Sequence, residues 1–219
     1  MVTLHNIRVI GFDLDQTLYP KSPLVDEKIQ EYLYQKIAER RGIDRVHAEQ
    51  LFKERYRGGS GLSGRETLED LGLPDAAELV QEALERADIA SLLAPDADTN
   101  TLLSDIRSKY ESMDLITGSG DAETEKKLKA LELGLSTFTH VITADRSTKS
   151  SGDSYRLWLS FYPHFAPEQF LYIGDRLRTD HEIPSALGIR TALVYVNEPS
   201  ADISALQVPS FAALRPFLL

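Results

Sequence analysis

The sequence contains no cysteine among its 219 residues. Disulfide bonds, thiolate metal sites and cysteine nucleophiles are therefore excluded. Positive charge is also in the minority, because 24 Lys and Arg residues stand against 34 Asp and Glu residues and give a formal net charge of −10. A protein this acidic lacks the basic surface that a nucleic-acid polymer requires, so we expect no partner of that kind.

Long apolar runs are missing as well, and none approaches the roughly 18 residues of a membrane span. Residues 1–6 have neither the basic nor the apolar region of a secretory signal. We therefore expect a cytoplasmic protein that has no membrane partner. The oligomeric state does not follow from the sequence.

The chain begins with a strand pattern and continues with a long helical block. Residues 7–12 form a short, nearly continuous apolar run, which is typical of a strand buried on both faces of a parallel sheet. From about residue 23 to residue 88, apolar residues recur at helical spacing, with further helices predicted at 47–55, 65–71 and 75–87. No strand pattern interrupts this block.

Strands and helices alternate after residue 95. Further strands are predicted at 113–116, 140–143, 170–173 and 190–196. Alternation of this kind indicates βαβ units and a parallel sheet. We predict an α/β fold, with a Rossmann-like parallel sheet core at residues 1–20 and 95–219 that has helices on both faces. An all-helical cap domain at residues 21–94 is inserted after the first strand.

Polar residues follow the predicted strands, at the edge of the sheet where α/β proteins bind ligands. Asp13 and Asp15 follow the first strand, and two neighbouring carboxylates usually attract a cation. Thr117 and Gly118 follow the second strand, ahead of a helix N-terminus that suits an anion. Lys149 lies in the loop after the third strand. The fourth strand leads into a segment with two further carboxylates, Asp175 and Asp180. Each of these polar segments alone is weak evidence for a functional site. Four of them in order, each at the end of its own predicted strand, are specific evidence.

Three segments resemble the haloacid dehalogenase-like hydrolase superfamily, and the resemblance covers nearly the whole chain. They read GFDLDQTLYP from Gly11, LITGSG at the second strand, and YIGDRLRTD at the fourth. The letters TLYP followed by a helical cap are similar to the pyrimidine 5′-nucleotidase-like branch. The third motif departs from the usual Lys-Pro pair because Lys149 precedes two serines, so Lys127 and Lys129 remain alternatives as the phosphate-binding lysine.

The resemblance implies a Mg²⁺-dependent phosphatase that acts through an aspartyl-phosphate. Asp13 would be the nucleophile, and Asp15 would protonate the leaving alcohol and then deprotonate water. The metal would bind the Asp13 carboxylate, the Asp15 backbone carbonyl and Asp175, and Asp180 would hold a metal-bound water or orient Lys149. The residues that would bind the phosphate oxygens are Thr117, Gly118 and Lys149.

The favoured substrate is a small phosphate ester, namely a nucleoside monophosphate. A phosphosugar phosphatase or a phosphomutase is the alternative. Two non-enzymatic hypotheses stay open, a phospho-acceptor signalling protein and a binding protein with a vestigial site. Because the core residues recognise only phosphate and metal, we expect selectivity to come from the cap, with Tyr56 and Arg57 in its glycine-rich stretch as candidate substrate contacts.

Overall fold

The computed structural model describes residues 4–20, 22–56, 62 and 64–219. The chain divides into two compact units, one formed by Met1–Lys21 with Leu93–Leu219 and the other by Ser22–Leu92. We call them the sheet unit and the helical unit. The action of the helical unit as a cap stays a prediction.

The described residues of the helical unit form four α-helices, α1 Pro23–Arg41, α2 Arg45–Lys53, α3 Gly64–Asp70 and α4 Ala76–Arg86. Helix α1 ends at Gly42, which adopts a left-handed conformation with φ of 63° and donates its N–H to the Ala38 carbonyl. This is the usual glycine termination of a helix. The unit has its own apolar core, which includes Leu33, Ile37, Phe52 and Leu68. Among the described residues, no helix is long and apolar enough to cross a membrane.

In the sheet unit, the residues that the structure describes form six parallel strands in the order β3-β2-β1-β4-β5-β6. Their bounds are β1 Val9–Phe12, β2 Ser112–Ile116, β3 Val141–Ile142, β4 Phe170–Gly174, β5 Arg190–Leu193 and β6 Leu206–Gln207. The predicted α/β fold with a parallel sheet is confirmed. Strand β6 was not predicted, because Leu206 and Gln207 do not form an apolar run of the kind that indicated the other strands.

The described part of the sheet unit also contains five α-helices, α5 Ala97–Lys109, α6 Asp121–Ala130, α7 Asp153–Ser160, α8 Ile183–Ala186 and α9 Arg215–Leu218. Helix α7 packs on the sheet through Trp158, which is fully buried. The Trp158 indole occupies the space above Gly11 of β1, where a Cβ atom would lie 2.7 Å from the ring. Glycine at this position therefore allows the close approach of α7 to the central strand.

A buried carboxylate connects β2 to the segments around it. Asp114 is fully buried and accepts hydrogen bonds from Trp158 Nε1 at 2.7 Å, the Tyr162 hydroxyl at 2.8 Å and the His140 backbone N–H at 2.9 Å. Burial raises the pKa of Asp114 despite these donors. These three donors, none of which belongs to β2, therefore fix the position of the Asp114 side chain in the core of the sheet unit.

The strand order fixes where a ligand site is expected. The order runs outward from β1 in one direction through β2 and β3, and in the other through β4, β5 and β6. After β3 the chain returns to the other side of β1 and continues with β4. The direction in which successive strands are added to the sheet therefore reverses between β1 and β4. In open parallel sheets, ligands bind at such a reversal, outside the carboxyl ends of the strands. Asp13 directly follows β1 and Asp175 directly follows β4.

Candidate active site

Asp13 is held at the end of the central strand. Its backbone N–H donates to the Ile173 carbonyl of β4 at 2.8 Å, which continues the parallel pairing by one residue. Its side chain is buried, and Oδ1 accepts a hydrogen bond from Lys149 Nζ at 2.8 Å. Lys149 was predicted from a weak motif, yet this contact brings its ammonium group to the predicted nucleophile.

The segment after β4 brings a second carboxylate to the same place. Residues Leu177–Glu182 form a π-helical turn, a rare element that often occurs at functional sites. Asp180 within this turn is fully buried, and its Oδ2 accepts the backbone N–H groups of Asp175 at 3.1 Å and Arg176 at 3.0 Å. Its Oδ1 lies 2.6 Å from Lys149 Nζ. Lys149 thus bridges Asp13 and Asp180.

Gly174 makes this arrangement possible. A Cβ atom built on Gly174 would lie 2.4 Å from both Cβ and Cγ of Asp180. No side chain fits in that space while Asp180 keeps its two backbone hydrogen bonds. The glycine of the GDRLRTD segment is therefore required by the packing of its own final aspartate.

Asp13, Asp175 and Asp180 form an acidic group whose potential ligand atoms all lie within 4.8 Å of one another. Burial is the largest cause that raises the pKa of Asp13, to about 7, with Lys149 opposing the rise and Asp180 and Asp15 adding to it. Burial acts to lower the pKa of Lys149, but the charges of Asp13 and Asp180 outweigh it and raise the pKa. The three carboxylates carry more negative charge than Lys149 balances, which favours a cation among them.

The Asp15 carboxylate lies outside this acidic group and has its own partners. Oδ1 accepts from the Tyr19 hydroxyl at 2.5 Å and from Lys127 Nζ at 2.6 Å, and Oδ2 accepts from Ser119 Oγ at 2.6 Å. Burial acts to raise the pKa of Asp15, but the Lys127 charge and these hydrogen bonds outweigh it and lower the pKa. We call Tyr19, Ser119 and Lys127 the Asp15 clamp.

The turn after β2 differs in detail from the anion site that the sequence suggested. Thr117 is fully buried, and its Oγ1 accepts the Ser119 backbone N–H at 3.1 Å. The first N–H of α6, that of Asp121, donates to Asp145 at 2.7 Å. Two of the backbone donors that an anion would use are therefore engaged within the protein. Gly118 is exposed, and an added Cβ there would meet nothing within 4 Å.

The two candidate substrate contacts of the helical unit are described only in part. Tyr56 is partly buried, and its ring packs on Phe52 at 4.9 Å between centroids. Tyr56 also forms an isolated bridge with Leu62. Arg57 lies outside the described residues. Their role in substrate selection stays a prediction.

Most of the Asp15 clamp was not predicted from the sequence. Lys127 was considered only as an alternative phosphate-binding lysine, and Ser119 and Tyr19 were assigned no role. One signal was available for Tyr19, since it stands four residues after Asp15 in the same motif. No local pattern connects Lys127 to Asp15, because 112 positions separate them along the chain.

Comparison of the sequence with models of known protein families shows the family of the chain. A family model described as haloacid dehalogenase-like hydrolase matches residues 10–194. The chain belongs to this family. The match begins inside β1 and extends past β5, so it includes all the predicted core site residues. The resemblance stated from the sequence motifs is thereby confirmed at the level of the family. No functionally curated protein matched the chain.

Solved structures of haloacid dehalogenase-like proteins share the fold. A phosphatase from Thermococcus onnurineus is 21% identical, with 97% of this chain and 98% of that chain covered and a TM-score of 0.67. A hydrolase of the family from Streptococcus pneumoniae is 17% identical, with coverage of 98% and 99% and a TM-score of 0.70. A 2-haloacid dehalogenase from Pseudomonas syringae is 16% identical, with coverage of 97% and 98% and a TM-score of 0.57.

These haloacid dehalogenase-like structures differ in the chemistry that their names state, since one is a phosphatase and another a dehalogenase. At identities this low, the comparison establishes the fold alone. Function must therefore be argued from the side chains at the carboxyl ends of β1, β2 and β4.

Proposed function

We propose that this haloacid dehalogenase-like hydrolase is a Mg²⁺-dependent phosphatase that hydrolyses a small phosphate monoester through an aspartyl-phosphate on Asp13. The observation that carries the proposal is the contact of Lys149 Nζ with Oδ1 of Asp13 at 2.8 Å. A phosphoryl group that reacts with Asp13 must come close to this ammonium group. Charge on the phosphate oxygens would then be neutralised where it develops.

The reaction divides into two steps. In the first, an Asp13 carboxylate oxygen forms a bond to phosphorus, the ester P–O bond breaks, and the leaving oxygen takes a proton from Asp15. In the second, water forms a bond to phosphorus, the bond from Asp13 to phosphorus breaks, and Asp15 takes the proton from water. Inorganic phosphate and the alcohol are the products, and both aspartates return to their starting states.

The acidic group has the donor chemistry that Mg²⁺ requires. Its oxygens come from three carboxylates within 4.8 Å of one another, and Mg²⁺ usually binds one or two protein carboxylates and several waters. Asp13 and Asp175 would hold the ion, with the Asp15 backbone carbonyl, and Asp180 would orient Lys149, which lies 2.6 Å from it. When bound, the ion supplies positive charge that stabilises the transferring phosphoryl group.

The favoured substrate is a nucleoside monophosphate, by resemblance to the nucleotidase-like branch, and a phosphosugar is second. Both substrates present the same phosphate to Asp13, so the core residues do not choose between them. A phosphomutase would use the same two aspartates. The products distinguish these hypotheses, because a mutase yields an isomeric ester where a phosphatase releases inorganic phosphate.

The test is a screen of phosphate esters with the full chain, first stripped with EDTA and then supplied with Mg²⁺. We expect release of phosphate only with the metal, and loss of at least 10³-fold in kcat for Asp13→Asn, since an amide does not attack phosphorus. Asp202→Asn is the matched control, because Asp202 is an exposed aspartate of the sheet unit. It should keep the wild-type rate.

Three results would contradict the proposal. Equal turnover in EDTA and in Mg²⁺ would exclude the metal requirement. Full activity of Asp13→Asn would exclude the nucleophile. Stable phosphorylation of the protein without turnover would favour the phospho-acceptor hypothesis, and binding of esters without reaction would favour a vestigial site.

A further inference from the structure

The Asp15 carboxylate accepts three side-chain hydrogen bonds, although in the proposed function it exchanges a proton. A carboxylate has about four lone-pair positions, two on each oxygen. Tyr19 and Lys127 both donate to Oδ1, at 2.5 Å and 2.6 Å, whereas Ser119 alone donates to Oδ2 at 2.6 Å. Within the described residues, the clamp therefore fills both positions on Oδ1 and one position on Oδ2.

Lys127 is the one clamp member with a permanent charge, and its environment is built for this contact. Its side chain is only 3% exposed, whereas that of its neighbour Lys126 on the same helix is 61% exposed. A buried ammonium group is tolerated only when it is paired and hydrogen-bonded. Lys127 Nζ satisfies this requirement through Asp15 and through Ser119 Oγ, to which it donates at 2.9 Å.

We propose that Lys127 is a positioning residue, which together with Tyr19 saturates Oδ1 of Asp15 and leaves Oδ2 as the oxygen that exchanges the proton. This inference rests on the proposed function, in which Asp15 is the acid and base. In the first step the Oδ2–H bond breaks as the leaving oxygen gains its proton. In the second step a water O–H bond breaks and the Oδ2–H bond forms again.

A plain structural role for Lys127 makes a different prediction. If the ion pair served only to hold α6 against the segment after β1, its loss would slow every substrate by a similar factor. If Lys127 orients the acid, its loss matters most where the leaving group needs a proton. Esters of weakly acidic alcohols or phenols need that proton, and activated esters such as 4-nitrophenyl phosphate do not.

The experiment measures kcat/KM in Mg²⁺ for a series of substituted phenyl phosphates whose leaving groups differ in acidity. For Lys127→Met we expect a steeper dependence on leaving-group pKa than in the wild type. The loss should be about 10- to 100-fold for unsubstituted phenyl phosphate, a part of the roughly 10²- to 10⁴-fold that a positioned acid supplies. For 4-nitrophenyl phosphate the loss should stay below about threefold, since that leaving group needs little protonation.

Three further variants complete the design. Asp15→Asn removes the acid itself and should show the steepest dependence. Lys127→Arg keeps a charged donor and should restore most of the wild-type slope. Lys126→Met removes an exposed lysine from the same helix and should match the wild type across the whole series.

The outcomes separate the two proposals. If the wild type hydrolyses none of these esters, or if Asp13→Asn remains active, the proposed function fails. If the wild type is active and Asp15→Asn steepens the slope, but Lys127→Met lies parallel to the wild type, the proposed function stands and the positioning role is wrong. Should Lys127→Met not fold, Tyr19→Phe replaces it. A steeper slope in Tyr19→Phe supports saturation of Oδ1, and an unchanged slope overturns it.

Discussion

Replacement of Gly174 by alanine tests the packing on which the acidic group depends. Gly174 ends β4 and lies against the side chain of Asp180, with 2.4 Å between the added Cβ and both Cβ and Cγ of that aspartate. An ordinary van der Waals contact begins at 3.4 Å, so about 1 Å of displacement is required. Rotation of Asp180 does not relieve the overlap, because its Cβ is attached directly to the backbone.

The loss of stability expected for Gly174→Ala follows from the displacement of Asp180 that the added methyl group requires. Overpacking of a well-packed site costs about 1–3 kcal/mol. If Asp180 shifts, its hydrogen bonds to the N–H groups of Asp175 and Arg176 weaken, and a hydrogen bond to a charged group contributes about 1.5–3 kcal/mol. Alanine restricts the unfolded chain and returns about 0.4–1 kcal/mol. We therefore expect Gly174→Ala to lower the free energy of unfolding by about 2–4 kcal/mol.

The assay is urea unfolding in EDTA, followed by the fluorescence of Trp158, which is the only tryptophan and lies in the sheet unit. Gly118→Ala is the matched control for stability, because Gly118 lies two residues after the end of β2 and an added Cβ there meets nothing within 4 Å. Its free energy of unfolding should stay within about 0.5 kcal/mol of the wild type. A loss below about 1 kcal/mol for Gly174→Ala would refute the steric argument.

Two predictions concern other parts of the chain. The folded-state pKa of Asp114 is raised, so its protonated form is favoured by folding, and the stability it contributes relative to Asp114→Asn should be greatest below about pH 4 and fall as the pH rises through the folded-state pKa. Urea unfolding of both proteins at a series of pH values measures this, and a difference that grows with pH would contradict it. In the helical unit, Tyr56→Phe and Arg57→Ala should raise KM for the best ester of the screen and leave the rate on 4-nitrophenyl phosphate nearly intact. Equal effects on both substrates, or none, would exclude these residues as specificity contacts.

The fold was predictable because its main signals are local. Continuous apolar runs marked the buried strands, and helical spacing marked α1 up to its glycine termination at Gly42. The π-helical turn at Leu177–Glu182 was not predictable, because this rare element has no periodic sequence pattern of its own. Strand β6 was not predicted either, since Leu206–Gln207 lacks the apolar run that indicated the other strands.

The candidate site was predictable where a residue follows a strand, as Asp13 and Asp175 do. The topology of a parallel sheet brings such residues together regardless of side-chain detail. Lys149 was a weaker prediction, because a loop lysine carries no signal of what it contacts. The contact of Lys127 with Asp15 could not be predicted from the sequence. The burial of Lys127 against Asp15 depends on how α6 lies against the segment that follows β1, and the sequence around Lys127 shows only a lysine-rich helix.

The position of β1 at the centre of the sheet has a consequence for folding during synthesis. Val9 pairs with Ser112 and with Phe170, so both neighbours of β1 are made more than 100 residues later. At roughly 5–20 residues per second, the apolar strand waits for several seconds on a ribosome before either partner exists. The helical unit, which has its own core, is synthesised during that interval and contains the contacts it needs. Central placement of the first strand thus delays completion of the sheet unit and leaves the apolar β1 unpaired in the nascent chain until β2 has been made.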